Sequence, residues 1–138
     1  MRHGRRVVCG AALSLVAVTG IGLAQAGPAA ANLAGDADRG KILFEKRCTG
    51  CHGLDRDKEG PRLRGVYGRK AGGVSDFPYS DAVKDAHLTW DDASLDRWLA
   101  DTEAVIANND MAFRVPSAVE RADIIAFLRS ASQLEQKP

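Results

Sequence analysis

Residues Cys48-Thr49-Gly50-Cys51-His52 constrain this chain more than any other stretch of its 138 residues. Two thiols three positions apart, followed at once by a histidine, form C-x-x-C-H, the attachment pattern of a c-type haem. The thiols add across two neighbouring vinyl groups on one edge of the porphyrin and become thioethers. The histidine must follow directly, because only there does its ring fall beneath the metal, where an imidazole nitrogen serves as the proximal ligand. C-x-x-C is also half of a zinc site or a redox dithiol. A zinc site needs about four ligands, and no second C-x-x-C exists in the chain. A thioredoxin-like dithiol would want a βαβ context, whereas the flanking sequence has helical periodicity.

The amino terminus carries a topological signal. Arg2, Arg5 and Arg6 form a positive region, an apolar run extends from Val7 to about Ala24, and small residues cluster at Ala24-Gln25-Ala26 and Ala29-Ala30-Ala31. This is the pattern of a secretory signal peptide over residues 1–31, with cleavage expected after Ala31. The competing reading is an uncleaved membrane anchor, for which the run is short and interrupted by Gly, Ser and Thr. Cys9 lies inside this segment and reads as a small apolar residue of it. Removing the segment takes Arg2, Arg5 and Arg6 with it, so 16 basic residues face 18 acidic ones and the remainder stands at −2. No basic patch points to nucleic acid or to an anionic membrane. Residues 32–138 amount to one domain, and no repeat or low-complexity linker divides them.

Three main helices are expected. The first spans about 36–47, with Asp36 or Asp38 as cap. It carries Gly40 in its interior at a cost of ~1 kcal/mol against Ala, the mark of a close backbone approach. The second spans about 91–101, capped by Thr89, with Leu95, Trp98 and Leu99 as its buried stripe. The third spans about 118–132, opened by Ser117 and Glu120 as a capping box. A shorter turn is expected at 80–84. No alternating stretch is long enough to argue for a sheet.

Composition narrows the sixth iron ligand. Once residues 1–31 are set aside, Met111 is the one remaining methionine, and His52 and His87 are the remaining histidines. Met111 follows Asn108-Asn109-Asp110, a turn-forming run, and belongs to no helical stripe. Met111 is therefore the expected axial ligand, ahead of His87 or an open site. A His/Met pair raises the iron's potential and closes it to substrates, which favours electron transfer over catalysis.

From about Gly35 to Ser132 the chain resembles class I cytochrome c, in its mitochondrial and bacterial c2 branch. Gly40-Lys41-Ile42-Leu43-Phe44 followed by Cys48-x-x-Cys51-His52 matches that family's first helix and haem site. Gly60-Pro61-x-Leu63-x-Gly65-x-Tyr67-Gly68-Arg69-Lys70 matches the next loop. Phe77-x-Tyr79-Ser80-Asp81-Ala82 and Leu88-Thr89-Trp90 match the haem floor, and Met111-x-Phe113 with 120–128 matches the ligand loop and last helix. The resemblance implies an all-α fold wrapped around one covalent haem c. It implies that the Pro61 carbonyl accepts a hydrogen bond from His52, and that Arg69, Tyr79 and Trp90 hold a buried propionate. It further implies that Gly40 and Phe44 pack near Phe127, and that Phe113 lies beside the haem edge.

The chain departs from the family where Pro-Gly-Thr-Lys before the methionine becomes Ala107-Asn108-Asn109-Asp110. Asn108 can take the left-handed conformation of the glycine, and Asn109 can donate a hydrogen bond in place of the threonine. Trp98 replaces a tyrosine and Val83 an asparagine. The family's mitochondrial members ring the haem edge with lysines, whereas the corresponding positions here include Glu103, Ala104 and Asp110, although Arg47 and Arg114 remain.

The expected function is that of a periplasmic monohaem one-electron carrier between redox proteins such as a dehydrogenase, a bc1-type complex or a terminal oxidase. It is expected to be monomeric and not an enzyme. The alternative is a haem enzyme or a gas or ligand sensor with a labile or absent sixth ligand.

Overall fold

A computed structural model describes Met1 and residues 34–133. The chain separates into two units, Met1–Ala31 and Asn32–Pro138, and the fold is that of the second. The expected signal segment and its cleavage position lie outside the described residues, Met1 excepted. Among the described residues five helices follow in order: α1 (Ala37–Arg47), α2 (Asp81–Lys84), α3 (Asp92–Ala100), α4 (Thr102–Val105) and α5 (Ala118–Gln133). α1 and α3 both pack on α5, and α3 packs on α4. Among the described residues the only bridge is an isolated antiparallel one between Lys70 and Thr89. No helix among them is long and apolar enough to cross a membrane.

Every described helix except α2 starts where a side chain satisfies its first amide groups, which have no partner inside the helix; Ser80, before α2, makes no such bond. Asp36 accepts from Asp38 N–H and Arg39 N–H at the start of α1. The cap of α3 is Asp91, not Thr89. Asp91 accepts from Ser94 N–H, and the Ser94 hydroxyl accepts from Asp91 N–H, both at 2.8 Å. This reciprocal box outcompetes Thr89, whose carbonyl instead accepts from the Ser94 hydroxyl. The expected box at α5 is half formed. Ser117 accepts from Glu120 N–H at 3.3 Å, but the Glu120 carboxylate turns to Arg47 at 2.8 Å. Pairing α5 with the end of α1 outweighs a local cap. The α3 pattern also ends one residue early, because Asp101 leaves the helical region and caps the unanticipated α4.

The crossing of α1 and α5 sets the frame. A Cβ on Gly40 would lie 1.9 Å from the Asp123 carbonyl oxygen, so only glycine lets the two backbones approach this closely. One turn on, Phe44 and Phe127 meet with ring centroids 5.2 Å apart. Asp123 is 3% exposed. Its carboxylate accepts from Asp36 N–H at 2.7 Å and twice from the Arg39 guanidinium at 2.9 Å. A buried carboxylate is tolerated only when its oxygens are satisfied in this way. The Arg39 hydrogen bonds hold the Asp123 carboxyl below its ordinary value of 3.8 against the opposing effect of burial. A depressed carboxyl stabilises the fold above its unfolded value, and that contribution is lost as pH falls through the folded value.

Two outcomes follow from this crossing. Gly40→Ala should lower stability by about 1–3 kcal/mol or more through overpacking, read as a fall in the urea midpoint. Gly50→Ala, whose Cβ would meet nothing within 4 Å, should leave the midpoint near that of the parent. Asp123→Asn should be destabilising at neutral pH, and its deficit should shrink as pH drops below 3.8. A deficit independent of pH would contradict the ion-pair account.

Candidate functional site

The turn that follows α1 aims three side chains at one place. Cys48 closes the helix with its N–H on the Phe44 carbonyl at 2.8 Å. Cys51 and His52 then both donate their N–H groups back to the Cys48 carbonyl, at 3.1 and 2.8 Å. The two sulfurs and the imidazole therefore leave a single compact turn. The chain next doubles back, with Gly60 N–H on the Cys51 carbonyl and Leu63 N–H on the Gly53 carbonyl. This return carries Pro61 to His52.

His52 is buried, and its Nδ1 stands 2.8 Å from the Pro61 carbonyl oxygen. The carbonyl has no proton to give, so the imidazole donates from Nδ1 and keeps Nε2 as its acceptor nitrogen. Burial holds the ring below its ordinary value of 6.5, against the opposing pull of the Pro61 carbonyl, and nearby Lys58 adds to the lowering. The ring is thus neutral at pH 7, the form that binds a metal. Gly60 makes the ring's position specific, because a Cβ there would lie 2.3 Å from the His52 ring carbon Cε1. Gly60 had no expected role of its own, although a Gly-Pro pair eight and nine residues after the histidine was the available signal. Burial also pushes the Cys48 thiol up to about 11, so this sulfur sits in apolar surroundings as a neutral group.

Cys48, Cys51, His52, Pro61, Arg69, Tyr79, Trp90, Asn109 and Met111 all line one cavity of about 550 Å³. Its walls include Leu63, Val66, Leu95, Trp98, Leu99, Ile124 and Leu128, drawn from the two loops, α3 and α5. His87 does not line it. Trp90 and Trp98 are both buried and pack with centroids 5.3 Å apart. The Arg69 guanidinium donates to the Arg64 and Arg62 carbonyls at 3.0 and 2.9 Å, which fixes a cation at the cavity wall. Burial raises the Tyr79 hydroxyl above its ordinary value, partly offset by the Arg69 charge and by a hydrogen bond from Val74 N–H. A ring contact at 4.8 Å sets Phe77 against Tyr79.

Asn108 has φ 60°, the left-handed conformation expected of it. Asn109 donates hydrogen bonds, as expected of it. Its amide donates to the Ile106 carbonyl at 2.8 Å and to Glu103 at 3.3 Å, and its Oδ1 accepts from Met111 N–H at 2.8 Å. Both ends of the amide are thus directed to the loop itself. Thr102, which the sequence did not mark, donates from its buried hydroxyl to the Met111 carbonyl at 2.5 Å.

A flat apolar group tethered at two sulfurs fits this cavity. The tethers stand at its edge, a neutral imidazole and a thioether line it, and the Arg69 guanidinium is fixed at its wall. The protein-family model described as cytochrome c matches residues 37–132. A cytochrome c from Euglena viridis is 40% identical over 99 residues, covering 70% of this chain and 97% of the relative. A cytochrome c2 from Rhodomicrobium vannielii is 38% identical over 120 residues, covering 84% and 95%. The solved structure of cytochrome cH from Methylobacterium extorquens matches with a TM-score of 0.66 at 40% identity, covering 70% of this chain and 99% of that one.

The tethers make a direct prediction. Mass spectrometry of protein matured with a haem-attachment system should show one haem retained through acid–acetone extraction. Cys48→Ser or Cys51→Ser should weaken or abolish that retention. A folded, stable, haem-free product would contradict the fit, because the cavity occupies the centre of a small core.

Proposed function

The chain belongs to the cytochrome c family, with one haem c attached through Cys48 and Cys51, and from that premise we propose a periplasmic one-electron carrier with a His52/Met111-ligated, low-spin iron. The relatives support a monohaem electron carrier in general terms. The observation that carries the finer reading is that His52 and Met111 line the same cavity, with His52 already oriented by Pro61. The bound haem supplies a metal centre that gains or loses one electron. The chain's residues decide how readily that happens. The Pro61 carbonyl fixes the His52 ring and strengthens it as a donor. Met111 supplies a soft sulfur that favours the reduced state. The apolar walls keep water from the metal, so little solvent must reorganise. Arg69, Tyr79 and Trp90 hold a propionate that would otherwise be costly to bury.

Export completes the proposal. Residues 1–31 act as a signal peptide removed after Ala31, which delivers an unfolded chain to the compartment where haem c is attached. The alternative of a haem enzyme or ligand sensor requires an iron left open to small ligands, and no residue around the cavity favours it over Met111. Met111→Ala should abolish the sulfur-to-iron charge-transfer band, open the iron to carbon monoxide, and lower the potential. His87→Ala should do none of these. Ready carbon monoxide binding by the parent protein would sink the carrier reading in favour of the sensor.

Charge on Arg47 and around the loop that carries Met111 points to the partner. Arg47 is paired with Glu120, and Arg114 with Asp101, each at 2.8 Å. Asp110 and Glu103 are exposed. An electron-transfer encounter is steered by long-range charge, so the proposed partner presents a neutral or basic docking face. Ala104→Lys with Asp110→Lys should raise the second-order rate with an acidic-faced oxidase at low salt. That gain should fade as salt is added, since screening acts over ~8 Å at physiological ionic strength. A fast parent rate that falls with salt would show that the paired arginines already present an effective basic face.

A further inference from the structure

We propose that Thr102 and Asn109, braced by Glu103, form a clamp that sets how readily the Met111 sulfur leaves the iron. The inference rests on the reading of Met111 as axial ligand and adds positioning residues to it. Both backbone groups of Met111 are held by side chains. Its N–H donates to Asn109 Oδ1 at 2.8 Å, and its carbonyl accepts from the Thr102 hydroxyl at 2.5 Å. Thr102 is 3% exposed and sits at the first position of α4, so its hydroxyl is fixed by a helix that in turn packs on α3. Asn109 is anchored from behind by the Ile106 carbonyl at 2.8 Å, and Ile106 N–H is bound to the Thr102 carbonyl at 3.0 Å. Glu103 closes the circuit by accepting from Asn108 N–H at 3.0 Å and from the Asn109 amide at 3.3 Å.

The consequence concerns reach. A thioether is a weakly held, neutral ligand on a flexible stem. Its residence on the metal depends on whether the Cα that carries it stays in place. The clamp holds that Cα from both sides with polar contacts, both of them partly buried. An external ligand such as imidazole binds only the fraction of molecules in which the sulfur has left, so its apparent affinity rises as that fraction rises. The Met111 carbonyl also accepts from Phe113 N–H at 3.0 Å, so loss of the Thr102 hydroxyl loosens the residue without orphaning its oxygen.

The test is imidazole titration of the ferric holoprotein, set beside urea unfolding of the same samples. Thr102→Val, which keeps the side-chain shape, should raise imidazole affinity about three- to tenfold, the equivalent of one lost hydrogen bond. Asn109→Ala should act in the same direction, and Thr102→Ser should restore the parent value. Asp123→Asn, which weakens the α1–α5 crossing away from the cavity, should lower the urea midpoint with no change in imidazole affinity. Parent-like affinity in Thr102→Val overturns the clamp. So does an equal rise in Asp123→Asn, which would reduce the effect to general loss of stability. If Thr102→Val gives no holoprotein, Asn109→Ala on the loop decides the matter alone. A parent protein without the sulfur band fails at the earlier step, the assignment of Met111, and is told apart by its spectrum before any variant is made.

Discussion

Two thioether tethers and an imidazole issue from one turn after α1, and their common origin dictates the rest of the architecture. A group fixed at Cys48 and Cys51 can lie only against His52, so every other element must supply a wall or a lid around that position. The apolar stripes of α3 and α5 do so through Leu95, Leu99, Ile124 and Leu128, which line the cavity while also belonging to the buried core. Core and binding site are therefore one set of residues. A domain of this size buries too little of its own surface to be comfortable alone, and a large apolar disc makes up the difference.

The frame that keeps those walls in place is the α1–α5 crossing. It depends on an absence, the missing Cβ of Gly40, and on a buried charge, Asp123, satisfied by Asp36 and Arg39. The first allows the backbones to close. The second fixes their register, because the carboxylate reaches both the capping residue of α1 and the arginine one turn into it. Arg47–Glu120 repeats the pairing at the other end of α1. Polar contacts here specify geometry, and the apolar contact between Phe44 and Phe127 adds burial to the crossing.

What the sequence made legible follows from how local each signal is. C-x-x-C-H is complete within five residues, and the three main helices were legible from their caps and apolar spacing, whereas the four-residue α4 is too short to show a period. Asn108 was expected to be able to take the left-handed conformation of the glycine it replaces in the resembled family, and it has φ 60°. The choice of Asp91 over Thr89 was harder, since both are good caps and only the position of Ser94 decides between them. Glu120 was given to a local box because its partner, Arg47, lies 73 positions away. Asp123 and Thr102 carried no signal, for a carboxylate or hydroxyl inside a helix reads as solvated until its distant partners are known. Asn109 was expected to donate a hydrogen bond in place of a threonine; it does so to the Ile106 carbonyl, while its Oδ1 accepts from Met111 N–H, a partner that no local pattern named.

The proposed carrier would hold a six-coordinate iron between the His52 nitrogen and the Met111 sulfur, with the protein tuned to keep that pair intact. Iron K-edge X-ray absorption on the ferric holoprotein reads this directly. One sulfur scatterer among nitrogen neighbours, present in both oxidation states, is the expected result. An iron coordinated by nitrogen alone, or lacking a sixth ligand, would contradict it.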